Sequence, residues 1–218
     1  MKHRVAVFSL LLVLTVAVQY AEGSLTLTSS RAAFESQGTI TYNYGFEDFS
    51  GLYYYFPGDP WTTHGVTYTS GSNIIVGPGA GYGNTSNVLC YNWWTPLTGT
   101  IQTSPSFDMF GFDVGVLGSS SVPLDIYIDT NTGSYSYLSQ NVPFGSNGMS
   151  FYGFTTSAPG EYFTGFTLVG ASGSAPAIDN VTLGDTATIP EPAAFIIWSL
   201  LGAVAIGVGR WRKWKAVY

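Results

Sequence analysis

From Thr39 to Leu183 the sequence is a succession of short runs rich in valine, isoleucine, threonine and aromatics, each cut by glycine, proline, asparagine or serine. Runs this short and this evenly spaced are the signature of antiparallel strands joined by tight turns. Predicted strands lie at Thr39–Phe46, Gly65–Thr69, Asn73–Val76, Val88–Tyr91, Thr100–Thr103 and Met109–Val116, then at Leu124–Asp129, Ser134–Leu138, Met149–Thr155, Phe163–Val169 and Ala177–Leu183. Leu124-Asp125-Ile126-Tyr127-Ile128-Asp129 alternates strictly, as a strand with one buried face must, and Asn131-Thr132-Gly133 reverses the chain after it. Ser24–Thr28 alternates in the same way and predicts a first strand. Ser29 or Ser30 then caps a short helix over Arg31–Ser36 that Gly38 stops. No alternation of strand with helix supports a parallel sheet, and no fixed repeat period runs through the chain. The expectation is one all-β antiparallel sandwich over residues 24–185.

Both ends read as addresses. Lys2 and Arg4 precede an apolar run from Val5 to Val18, and Ala21-Glu22-Gly23 offers small residues for a cut before Ser24. That is the build of a secretory signal peptide, residues 1–23. At the other end, a short linker from Thr186 leads to Pro190-Glu191-Pro192, then an uncharged apolar run Ala193–Gly209, then Arg210-Trp211-Arg212-Lys213-Trp214-Lys215 within a basic tail 210–218. As a helix, 193–209 spans roughly 25 Å, close to the hydrocarbon core of a bilayer. Its basic end belongs in the cytoplasm by the positive-inside rule, which places everything before Pro190 outside. With these segments set aside, Arg31 is the one Lys or Arg between Ser24 and Ile189, against eleven carboxylates, a formal charge of −10. Such a domain repels phosphate backbones, so nucleic acid is not its partner. Its charge suits a soluble exported protein or one that uses divalent cations. The lone Cys90 excludes an internal disulfide and reads as a small apolar residue of a strand.

The order of Pro190-Glu191-Pro192, apolar helix and basic terminus resembles the PEP-CTERM sorting signal of Gram-negative bacteria. The resemblance implies export through the secretion machinery and an inner-membrane-anchored precursor. It further implies processing by an exosortase and delivery to the cell surface or exopolysaccharide matrix. A second, looser resemblance lies within the body of the chain. Phe46-Glu47-Asp48-Phe49, Gly81-Tyr82-Gly83-Asn84-Thr85-Ser86-Asn87, Phe110-Gly111-Phe112-Asp113-Val114, Phe151-Tyr152-Gly153-Phe154 and Ile178-Asp179-Asn180-Val181 follow the order seen in sandwich domains of PEP-CTERM proteins. The opening Phe-Glu and closing Ile-Asp-Asn-Val are similar to the ends of jelly-roll carbohydrate-binding modules. That likeness implies a jelly-roll sandwich in which Glu47 and Asp179 share a calcium ion. Calcium takes carboxylate and carbonyl oxygens, and an acidic chain gains by the neutralisation.

Other candidates come from residue type. Asp125, Asp129 and Asn131 lack the spacing of a calcium loop and read as solvent-facing acids. Trp93-Trp94 between Tyr91 and Pro96, and Trp61 near Tyr53-Tyr54-Tyr55 and His64, offer flat apolar faces on which sugar rings stack. Catalysis has little support: His64 is the one histidine after the signal peptide, no Gly-x-Ser-x-Gly elbow occurs, and one His with one Cys makes no zinc site. The sequence therefore predicts a non-catalytic exported protein with a structural or adhesive role in exopolysaccharide. A calcium-stabilised carbohydrate-binding module is the alternative, and a polysaccharide-active enzyme the second alternative.

Overall fold

A computed structural model gives the fold. It describes residues 25–187 apart from 50, 59, 92–94, 103, 105, 118–122 and 171–173, together with 199 and 201. The predicted signal peptide, Pro190-Glu191-Pro192 and most of the tail lie outside the described residues, and so do Trp93 and Trp94. Among the described residues no helix is long and apolar enough to cross a membrane. The chain divides into two units, Met1–Thr186 and Ala187–Tyr218.

Among its described residues the first unit holds fourteen strands in two antiparallel sheets. In chain order they are β1 (Leu25–Thr28), β2 (Gly38–Tyr44), β3 (Tyr53–Tyr55), β4 (Trp61–Thr63), β5 (Val66–Ser70), β6 (Ile74–Pro78) and β7 (Asn87–Tyr91). Then come β8 (Leu97–Ile101), β9 (Met109–Leu117), β10 (Pro123–Thr130), β11 (Ser134–Asn141), β12 (Ser150–Thr156), β13 (Phe163–Gly170) and β14 (Ala175–Thr186). One sheet runs β1-β12-β9-β14-β7-β6-β3, with β2 joined to β14; the other runs β11-β10-β13-β8-β5-β4. The first unit is thus an all-β, two-sheet sandwich. One helix, α1 (Arg31–Glu35), interrupts it, and the Ser30 side chain accepts a hydrogen bond from the Ala33 amide at its start.

Alternation along the strands decides what lies between the sheets. Leu124, Ile126 and Ile128 of β10 face inward, as do Phe110, Phe112, Val114 and Val116 of β9. Phe110 is the hub: its ring meets those of Phe112, Phe154, Phe163 and Phe166 at centroid distances of 5.1–6.4 Å. Glycine at position 99 makes room for this layer, because a Cβ there would stand 2.1 Å from the Phe166 ring. The outer face of the eight-stranded sheet is covered too. Phe34 of α1 packs on Met109 and Phe151, over Gly111 and Gly153, where a side chain would collide with those rings.

Two differences from the sequence reading are physical. The strand expected at Thr100–Thr103 starts earlier, at Leu97, since β8 is sandwiched between β5 and β13 and pairs with both from that residue. Strands β3 and β4, three residues each, exist through their single partners β6 and β5.

Candidate functional site

Strand β14 carries the site. Along one side it pairs with β9 from Ala175 to Asp179 and again from Thr182 to Gly184; along the other it pairs with β7 at Ala177–Ile178 and with β2 from Val181 to Thr186. Between those partners lie Asp179 and Asn180, at a fork in the sheet. The register against β9 slips here, from Asp179↔Asp113 to Thr182↔Gly111, so β14 carries one extra residue, a β-bulge. Asn180 takes the left-handed conformation (φ 48°), which asparagine tolerates well. Phe46, beside the end of β2, does the same (φ 55°) although it is fully buried, a conformation that costs a bulky residue energy and turns the chain sharply before Glu47.

These bends gather polar side chains on the outer face of the sheet. Asp113 and Asp179 are cross-strand neighbours, a repulsive pairing unless something bridges them. The Asn180 amide does so, donating to Asp113 Oδ2 at 2.8 Å and to Asp179 Oδ2 at 3.3 Å. Asp179 Oδ2 also accepts from Asn84 Nδ2 at 2.7 Å and from the Ser86 hydroxyl, and Oδ1 accepts from the Asn180 amide N–H at 2.7 Å. Arg31 reaches over from α1. Its guanidinium lies 3.1 Å from Asp113 Oδ2, donates to the Asn180 carbonyl and the Thr182 hydroxyl, and sits 4.4 Å above the Phe151 ring. The only Lys or Arg of the predicted exported domain is therefore engaged by Asp113 and, on its own helix, by Glu35 at 3.6 Å, and Asp179, fully buried, is held by neutral donors alone. Burial pushes the Asp179 carboxyl above its ordinary value, against the Ser86, Asn84 and Asn180 hydrogen bonds, and the nearby Asp113 charge adds to the rise.

Glu47 joins this group. Asn180 Oδ1, Asp179 Oδ1 and Glu47 Oε1 stand 3.1, 3.4 and 3.7 Å from the point a Cβ on residue 45 would occupy, and residue 45 is glycine. A space lined by two carboxylates and an amide oxygen is the donor set calcium prefers. Among the described residues no three His, Cys, Asp or Glu side chains are grouped to hold a metal, so an ion here would draw on Asn180 and backbone carbonyls beside Glu47 and Asp179. Reasoning from the sequence missed Asn84, Ser86, Asp113 and Asn180. The signal for the first two was the Gly81–Asn87 block; that for Asn180 was its place after Asp179.

No family model and no curated protein matches the chain. Solved structures that resemble it include two from different sources. One is the low-affinity xylan-binding module CBM86 of Roseburia intestinalis, 8% identical, TM-score 0.29, with 75% of this chain and 95% of that one aligned. The other is the enzymatically active domain of tailspike protein 4 of bacteriophage CBA120, 21% identical, TM-score 0.28, with 64% of this chain but 20% of that one aligned. Likenesses at this level carry no argument.

The remaining candidates separate. Trp61 is half-buried: its ring stacks with Tyr55 (4.8 Å) and Tyr68 (5.5 Å) and meets Phe46 and Phe49. Most of its surface is already used within the fold. The exposed apolar side chains stand just beyond it on the β3 edge: Leu52 (61%), Tyr53, Tyr54 (59%) and Phe56 (72%). His64 stacks on Tyr44 at 3.8 Å and its Nδ1 shares a hydrogen bond with the Thr63 hydroxyl. Asp125 and Asp129 fasten the β10–β11 hairpin, accepting from the Ser139 amide and the Ser134 hydroxyl. Cys90 is half-buried in β7 beside Tyr82, and burial pushes its thiol up, away from reactive thiolate.

Proposed function

We propose that this chain is an exported, exosortase-processed protein of the cell surface or exopolysaccharide matrix, whose jelly-roll-like sandwich is non-catalytic and serves a structural or adhesive role. The observation that carries the adhesive part is the ridge at residues 52–56. Four large apolar side chains in five consecutive residues face solvent at a sheet edge, where a soluble monomer gains nothing from them. Tyrosine and phenylalanine offer rigid contact area at little entropic cost, which suits both sugar rings and protein edges.

The test is partition. Full-length protein made in an exosortase-bearing Gram-negative host is expected in the matrix fraction. The double variant Tyr54→Ser, Phe56→Ser is expected to move into the medium by at least tenfold, with Tm unchanged because both side chains are exposed. Retention equal to wild type overturns the ridge as the adhesive surface.

A second reading, a calcium-stabilised carbohydrate-binding module, is favoured by the oxygens of Glu47, Asp179 and Asn180 around Gly45. There the ion would neutralise the buried Asp179 and fasten the end of β2 to β14. Calcium at 1 mM then raises Tm and Glu47→Gln abolishes the rise; a Tm indifferent to both chelator and calcium removes this reading.

A further inference from the structure

The connection between β11 and β12 holds the one Asn-Gly pair of the chain, Asn147-Gly148. An asparagine side chain is chemically labile where the amide nitrogen of the next residue can reach its carbonyl carbon. The fold denies this to several asparagines. Asn84 and Asn180 spend their side-chain amides on Asp179 and Asp113, Asn87 on the Phe46 and Phe49 carbonyls, and Asn131 on the Gly160 carbonyl and the Tyr162 N–H. Each of these four is also followed by valine or threonine, whose branched Cβ crowds the attacking nitrogen. Asn147 differs on every count. It is exposed, and its side-chain amide has no hydrogen-bond partner among the described residues. It ends a single 3₁₀ turn, Gly145–Asn147, whose bond from the Asn147 N–H to the Phe144 carbonyl is long at 3.3 Å. Gly148 takes φ 90°, which glycine adopts freely, and beyond its chain neighbours no atom lies within 4 Å of where a Cβ would stand. Its N–H has no acceptor among the described residues.

We propose that Asn147 is a site of spontaneous deamidation in the folded protein, and that the product loosens the wall behind the fork. The Gly148 nitrogen, its proton taken by hydroxide, attacks Asn147 Cγ. A new N–Cγ bond forms, the bond from Cγ to the side-chain nitrogen breaks, and ammonia leaves with the proton. Water then opens the five-membered imide. Cleavage of the new N–Cγ bond gives aspartate. Cleavage of the original peptide bond gives isoaspartate, in which the main chain runs through Cβ and Cγ. Water is the only co-reactant consumed. The connection is tied to the sandwich on both sides of this site. Val116 of β9 bridges Phe144, and its N–H donates to the Pro143 carbonyl at 3.0 Å. Met149 accepts through its sulfur from Asn84 Nδ2 at 3.3 Å, and Asn84 in turn holds Asp179. Isoaspartate inserts one methylene into the main chain between these ties, so they can no longer both keep their register. It also adds a carboxylate two residues from Met149. The inference stands on this connection alone and needs neither the export reading nor the ridge at residues 52–56.

The test is timed incubation of the purified protein at pH 6 and pH 8, followed by peptide mapping that separates aspartate from isoaspartate. The peptide holding Asn147 is expected to gain about one dalton, with isoaspartate the main product, at least tenfold faster than the peptides holding Asn84, Asn87, Asn131 or Asn180. The rate rises from pH 6 to pH 8, because the attacking nitrogen must lose its proton. Asn147→Gln, at an exposed side chain, removes the gain and leaves Tm unchanged. An unmodified Asn147 in the folded protein overturns the site, and so does a gain that yields aspartate alone or ignores pH, since neither passes through the imide. The coupling to the fork has its own readout. The isoaspartate fraction is expected to melt several degrees below freshly purified Asn147→Asp, which carries the charge without the added methylene. Equal melting of the two overturns the loosening.

Discussion

Phe110→Ala is expected to destabilise the sandwich by about 4 kcal/mol, the range for deleting a fully buried phenyl ring from a core that cannot collapse around the hole. In a domain of this size that lowers Tm by roughly 12 °C. The ring is fully buried and is the meeting point of four others contributed by β9, β12 and β13, so no single neighbour can move to fill its volume. Phe56→Ala, at a ring that is 72% exposed, should leave Tm within about a degree. Thermal unfolding of the two variants side by side checks both. Equal losses would mean that the two sheets do not pack through Phe110.

Asp179→Ala is expected to cost about 3 kcal/mol at neutral pH, because it leaves the Asn84 amide, the Ser86 hydroxyl and the Asn180 N–H without their acceptor inside the fork. Its pH dependence is the sharper check. The folded-state carboxyl is raised above its ordinary 3.8, so the folded chain takes up this proton at a higher pH than the unfolded chain does. The penalty for burying the charge is fully present above the folded value. It is relieved as pH falls through that value toward 3.8. The variant lacks this relief. In the presence of chelator the gap between wild type and Asp179→Ala should therefore widen as pH falls from 7 toward 3.8, as read by denaturant melts. If calcium binds the fork as the second reading proposes, it favours the ionised carboxylate, and under saturating calcium the same gap should narrow over that interval. A gap independent of pH in both conditions would contradict the electrostatics assigned to the fork.

Much of the fold was legible in the sequence because alternation states directly which face is buried. The Leu124–Asp129 pattern corresponds residue for residue to buried Leu124, Ile126 and Ile128 between less buried neighbours, and Ser30 caps α1 as its side chain allows. The fork was legible in part. A Glu early in the body and an Asp in the last strand do come together, but through β2 on β14, while the first strand lies on β12. What the sequence concealed depends on partners far along the chain. Tyr53-Tyr54-Tyr55 has no alternation to mark it, and only pairing with β6 makes it a strand. The bulge at Asn180 adds one residue that no local pattern announces. Glu161, in a Gly-Glu-Tyr turn, looks like an ordinary surface acid; its burial comes from hydroxyls on β10, on β11 and in the turn joining them.

In the proposed function two removable address segments bracket a domain that works outside the cell. Intact-mass measurement of the protein recovered from the surface or matrix of its own host tests this most directly. The account predicts a chain that begins at Ser24 and lacks the apolar run 193–209 and the basic tail, ending at or near Pro190-Glu191-Pro192 with any group the processing enzyme has attached. A surface-associated protein that still carries residues 193–218, or a chain retained in the cytoplasm with residues 1–23 in place, would contradict it.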